Sequence, residues 1–144
     1  MSPLNVAVTA ALVFFASPAA ARTASAVHAP AVTCSAGLHP AATAELFFGR
    51  NIGQVTAVSE EAWQGFIDRE ISPRFPNGLS VFDVYGQYRG PGGEFVREPT
   101  KALLLVFSGS SEERDKVHAI RDAYRDQFRQ ESVMLLEQNA CVSF

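Results

Sequence analysis

Pro73, Pro76, the Asn77-Gly78 step and the run Arg89-Gly90-Pro91-Gly92-Gly93 divide the middle of this chain so closely that only short elements fit between them. Proline lacks the donor a helix needs and biases its preceding residue away from helical angles, so a helix arriving from the left stops at Pro73 and Pro76. Asn77-Gly78 turns the chain. Leu79 to Tyr88 is rich in branched and aromatic residues and predicts a strand, and the glycine-proline run after it predicts a loop. The next strand is reached through Phe95-Val96-Arg97-Glu98.

The flanks complete an alternating pattern. Glu45-Leu46-Phe47-Phe48-Gly49 reads as a first strand, and Arg50 to Val58 as a connection. Ser59 is a good N-cap, with Glu60 and Glu61 in the first turn where the helix dipole favours carboxylates. Trp63, Phe66, Ile67 and Ile71 then recur at helical spacing, and Glu70 falls inside their arc. Lys101 to Phe107 is an apolar strand without polar alternation, which predicts cover on both faces. Ser110 and Glu113 form a capping box for a second helix with Val117, Ile120, Tyr124 and Phe128 as its buried stripe. Arg129-Gln130-Glu131 ends it, and Ser132 to Leu136 opens a last strand running toward Cys141 and Phe144.

The order strand, helix, strand, strand, helix, strand is that of an α+β, ferredoxin-like βαββαβ sandwich, an antiparallel sheet with two helices on one face. Leu103, Leu105 and Phe107 alternate with Ala102, Leu104 and Val106, and Val133 and Leu135 with Met134 and Leu136, so the second face is apolar too and needs cover. A second copy packed sheet to sheet, giving a homodimer, would supply it, as would the segment from Ala24 to Pro40 folding back.

Of 144 residues, 47% are hydrophobic and 19% charged, which suits one domain with a substantial core. The formal net charge of −3, with basic residues scattered among acidic ones, leaves no footprint for nucleic acid. Leu4 to Ala16 is an uncharged apolar run followed by Pro18-Ala19-Ala20-Ala21, small residues where a signal peptidase reads. Residues 1–21 are therefore expected to be a signal peptide, cleaved after Ala21 or after Ala26. No positive side chain precedes the run, but it is shorter than the roughly 20 residues that span a bilayer, so no membrane anchor remains after cleavage. Residues 22–43 read as a flexible arm and 44–144 as the folded domain, exported to the periplasm or secreted.

Cys34 and Cys141 are the two cysteines, and an even count in an oxidising compartment suggests a disulfide. In the expected topology the last strand lies antiparallel beside the first, which brings the two together. Two separate buried thiols and a lipid-modified Cys34 are the alternatives.

His28 and His39 lie in the arm and His118 on the solvent flank of the second helix, with no metal-ligand spacing, so neither a metal nor a cofactor is expected. Ser108-Gly109-Ser110-Ser111 starts a helix and lacks the form of a hydrolase nucleophile. The polar groups of the central stretch are the candidates. Glu70 has Arg74 four residues on and reads first as a structural ion pair. Asp83, Tyr85 and Gln87 share one strand face by alternation, and Arg97, Glu98 and Lys101 approach from the paired strand. In an enzyme, Glu70 or Asp83 would be the base, Tyr85 a proton relay, and Arg74, Gln87, Arg97 and Lys101 the ligand-binding groups. The plainer reading is a solvated edge strand protected by its charges.

Ala44 to Gly49, Pro73 to Leu79, Gly86-Gln87-Tyr88-Arg89-Gly90, Arg97-Glu98-Pro99-Thr100-Lys101, Gln130-Glu131-Ser132-Val133 and Ala140 to Phe144 together resemble a family of short exported bacterial proteins, the domain of unknown function numbered thirty-five seventy-four. The likeness covers Cys34 to Phe144, with Tyr88 where a tryptophan is expected. It implies bacterial origin and export, and it carries no activity or catalytic residues. The functional expectation is therefore a binding or structural protein of the bacterial envelope. The alternative is a small-molecule enzyme of the dimeric ferredoxin-like barrel type, an analogy of fold alone.

Overall fold

The structure is a computed structural model, and it describes residues 32–144 apart from Gln54 and Pro91. The expected signal peptide and residues 22–31 of the expected arm lie outside the described residues. Four strands form one antiparallel sheet: β1 (His39–Gly49), β4 (Ser80–Arg89), β5 (Phe95–Phe107) and β6 (Met134–Val142). A two-stranded ribbon, β2 (Asn51–Ile52) and β3 (Val55–Thr56), stands beside it. The order in the sheet is β4-β5-β1-β6, the ferredoxin-like order expected of the βαββαβ pattern.

Both helices pack on one face. α1 (Glu60–Phe66) is capped by Ser59, whose hydroxyl accepts from the Ala62 N–H, and runs directly into a π-helical turn at Ile67–Ile71. α2 (Ser111–Phe128) is capped by Ser110, which accepts from the Glu113 N–H. Trp63, Phe66, Ile67 and Ile71 are all buried, as are Val117, Ile120 and Tyr124 of α2. These side chains meet Leu46, Phe48, Leu103 and Leu105 of the sheet. Phe48 lies at the centre of an aromatic cluster, with ring centroids 5.1 Å from Trp63 and 4.7 Å from Tyr124.

β1 begins at His39, several residues before the first strand expected from the sequence, so residues 39–43 belong to the sheet rather than to the arm. Ala42 and Ala44 are fully buried there; small residues let this interior strand close on Gly109, just before α2, without looking like a strand in the sequence. The polar start and the apolar end of β5 are one continuous strand through Pro99. The Pro99 carbonyl accepts from the Arg50 N–H just past the end of β1, so the donor that proline lacks falls where the ladder has already finished.

At the other end of β1, Pro40 stands opposite Cys141, and Cys34 is disulfide-bonded to Cys141 with the Cα atoms 5.6 Å apart. Of the three arrangements open to these cysteines, the structure holds the disulfide. Among the described residues, no helix is long and apolar enough to cross a membrane.

Candidate functional site

The polar candidates around the hairpin bond to one another: Glu70 with Arg74, the pair expected from the sequence, Lys101 with Asp83 and Glu60, and Arg97 with Gln87. Arg74 Nη1 donates to Glu70 Oε2 at 2.8 Å and to the Glu70 carbonyl at 2.6 Å. The π-helical turn shifts Glu70 off the apolar arc, and both side chains of that pair stay about a third exposed. Lys101 is buried on the helix-bearing face and reaches Asp83 Oδ1 at 2.6 Å and Glu60 Oε1 at 2.8 Å. Burial lowers the Lys101 pKa, but the hydrogen bonds from its ammonium to Asp83 and Glu60 more than offset this, and the balance is upward. Arg97 Nε donates to Gln87 Oε1 at 2.7 Å, both exposed.

Asp83 is 80% exposed at its side chain and Tyr85 is 69% exposed. An enzyme needs its base and proton relay enclosed together. Asp83 as base and Tyr85 as relay are not enclosed together here: both side chains are largely open to solvent on β4, an edge strand of the sheet. His118 is exposed, and no cluster of metal-ligating side chains occurs among the described residues.

A cavity of about 790 Å³ opens on the opposite face, at the end of the sheet where β1 finishes. Strand alternation selects its floor: Phe47 and Gly49 of β1, Val84 and Gly86 of β4, and Glu98 and Thr100 of β5. Tyr85 and Gln87 line it from the edge strand. The β2–β3 ribbon and the segment Arg129–Ser132 wall it in. Two hydrogen bonds fasten those walls: Gln130 Nε2 donates to the Asn51 carbonyl at 2.8 Å, and the Tyr124 hydroxyl donates to the Gly49 carbonyl at 2.9 Å. Burial, with a smaller push from Glu98, holds the Tyr124 hydroxyl far above the usual phenol pKa, so it stays a donor.

Glu98 is the polar centre of this cavity. Its Oε2 accepts from the Asn51 N–H at 3.2 Å. A Cβ on Gly49 would stand 2.6 Å from Glu98 Oε1, so Gly49 makes the room this carboxylate occupies, and one on Gly86 would stand 3.0 Å from Thr100 Oγ1, so Gly86 makes room for the neighbouring hydroxyl. Tyr88 lies on the same face, and its pKa is raised by burial and by the carboxylates of Glu98, Glu131 and Glu94.

Sequence reasoning grouped Glu98 with Arg97 and Lys101. Alternation places it on the other side of the sheet, and applying the two-residue period strictly along β5 would have separated them. Gly49, Gly86, Tyr88, Arg129 and Glu131 were not singled out as site residues. A further signal was available, since four of the six stretches that carry the family resemblance contribute to the lining of this one cavity.

The architecture and the site define a ferredoxin-like α+β domain with a small-molecule-sized cavity on the helix-free face of its sheet. The chain belongs to the family described as "Protein of unknown function (DUF3574)", which matches residues 43–144. No curated protein matches the sequence. Among solved structures, a phage SAM lyase in complex with S-methyl-5'-thioadenosine is similar at 22% identity and a TM-score of 0.58, covering 72% of this chain and 90% of that one. The apo state of the phage SAM lyase gives 23% identity and a TM-score of 0.54, covering 73% and 90%. CutA from Synechococcus elongatus aligns at 11% identity with a TM-score of 0.49, covering 72% of this chain and 80% of that one. At these identities the likeness is one of fold.

Proposed function

We propose that this protein is an exported small-molecule-binding domain and that its site is the cavity around Glu98. The observation that carries the reading is the carboxylate itself, part-buried in a cavity wall and seated over Gly49, where any side chain would collide with it. The cavity volume falls within the roughly 300–1,000 Å³ of small-molecule sites, and apolar walls with a few fixed polar groups are their usual composition. Export is supported by the apolar N-terminal run ending in small residues and by the Cys34–Cys141 disulfide, which persists in oxidising compartments.

A small-molecule enzyme is the second reading. The fold likeness to a phage SAM lyase favours it, and here Glu98 rather than Asp83 or Glu70 would serve as the base, because it is the part-buried carboxylate of the cavity lining. Native mass spectrometry of the mature protein, purified from its own host's envelope without reduction, tests both. A non-covalent adduct that is released unchanged on denaturation is expected. Conversion of that molecule on incubation with fresh protein would favour the enzyme instead, and a ligand-free spectrum from every growth condition would count against the site.

A further inference from the structure

The charges around the cavity select its ligand. We infer that the molecule bound there is an organic cation, an ammonium or other onium group on a flat or apolar body, with Glu98 as its counter-ion. The inference rests on the cavity being a binding site.

The first observation is the absence of any lysine or arginine on this face of the four strands. Alternation gives it Glu45 on β1 and Glu98 on β5, while the side chains of β4 and β6 that share the face are all uncharged. The second is the state of Glu98. Of the other part-buried carboxylates, Glu70 has Arg74, Glu137 has Arg114, and Glu113 is held by the Ser108 and Ser110 hydroxyls; Glu45, on the same face as Glu98, has no basic partner among the described residues. Among the described residues Glu98 has none, and it takes a single backbone N–H. A carboxylate withdrawn from water without a counter-charge is costly, and a bound cation removes that cost.

Glu131 at the wall adds a second negative charge to the lining, and Arg129 is the one basic residue in it. The field is felt at the Tyr88 hydroxyl, where three carboxylates act in the same sense. Tyr88 also presents an aromatic ring, and ring faces attract cations. Phe47 and Met134 provide apolar wall for the rest of the molecule. A bare divalent metal ion does not fit this description. It would need several oxygen ligands converging on one point, and no group of three acidic, histidine or cysteine side chains does so among the described residues.

The test uses three soluble probes that share a phenyl ring and differ in charge: phenethylammonium, phenethyl alcohol and 3-phenylpropionate. Each is titrated at neutral pH and low salt into the disulfide-bonded mature protein, and amide chemical shifts are followed by NMR. Phenethylammonium is expected to move the Gly49, Asn51 and Gly86 amides saturably and to bind more tightly than the other two. Glu98→Gln, which keeps the shape of the side chain, is expected to weaken it about tenfold or more. Glu70→Gln, outside the cavity, is expected to leave its affinity unchanged. Equal or tighter binding of the alcohol or the carboxylate at the same amides would overturn the cation and leave the cavity standing. Saturable shifts from none of the three would overturn both.

Discussion

Phe47 and Phe48 are neighbours in β1 that live in different solvents. Phe48 points into the helix-bearing face, fully buried against Trp63, Phe66 and Tyr124. Phe47 points to the other face, where Phe82 and Leu136 are 52% and 44% exposed. One face of the sheet is thus packed for stability. The other keeps its apolar groups at the surface, together with glycines and a carboxylate that add little to a core. The difference teaches where to look for function in a fold of this class: the helix-covered side spends its residues on packing, leaving the open side free to hold a ligand.

The largest expected effect tests that division directly. Phe48→Ala should cost about 3–5 kcal/mol, the usual penalty for deleting a buried aromatic ring. Phe47→Ala should cost no more than about 2 kcal/mol, since its ring is only partly withdrawn from water. Denaturant unfolding of the two variants compares them. Equal costs, or a cost for Phe47→Ala that grows with protein concentration, would mean that the open face is covered in solution, as a second copy of the chain would cover it.

Replacing both Cys34 and Cys141 by serine comes next. The disulfide closes a loop across 107 residues of sequence and should contribute about 4–5 kcal/mol on the chain-entropy account. It joins the sheet at the end of β1 opposite the cavity, so probe binding measured on the folded fraction should be unchanged. A parallel loss of binding would show that the two ends of the sheet are coupled.

Much of the packed face was legible in the sequence. The spacing of Trp63, Phe66, Ile67 and Ile71, and of Val117, Ile120 and Tyr124, announces helices because burial of one stripe requires that period. The cysteine pair followed from strand order, since β6 must run antiparallel to β1 for the two to meet. The cavity was harder to read. Asn51–Ile52 and Val55–Thr56 form a ribbon too short to show alternation, and three alanines around Thr43 give the start of β1 little strand propensity. Glu98 stands between Arg97 and Pro99 in a strongly polar stretch, and proximity in sequence suggested a common cluster. The pleat divides that stretch between two faces, and only the pairing with Gly86 and the packing beside Gly49 show which carboxylate is enclosed.

Lys101 gives a smaller effect, on the packed side. Its folded pKa is raised above 10.5 because the bonds to Asp83 and Glu60 outweigh burial. A group with a raised folded value contributes stability that is fully present below its unfolded pKa and is lost as pH rises through the folded one. Melting temperature should therefore fall more steeply above about pH 10.5 in the native protein than in Lys101→Met. Asp83 and Glu60 are well exposed, so losing the lysine strands no buried charge, and the variant should be close to native at pH 7. Identical alkaline profiles would show that the ion pairs are screened out.

On the open side, Gly49→Ala should change stability by less than about 1 kcal/mol, because the new methyl meets the movable end of Glu98 rather than backbone. The carboxylate must give way to it, however, and the binding of phenethylammonium should weaken. Stability and binding would then separate at a single residue. A variant that binds as well as the native protein would show that the position of Glu98 is not what holds the cation.

The smallest effect is expected at Arg129, whose φ of 53° places it in the left-handed region where α2 ends. A side chain there costs roughly 1 kcal/mol that glycine does not incur, so Arg129→Gly should stabilise the fold by up to about that amount. The same change removes the one basic residue from the cavity lining, leaving Glu98 and Glu131 without an opposing charge. Binding of phenethylammonium should therefore tighten slightly, and binding of 3-phenylpropionate should weaken, the signs expected if the lining works through its charge. Both affinities moving the same way would point instead to a change in the shape of the wall, and would place the role of Arg129 in the helix end rather than in the field around Glu98.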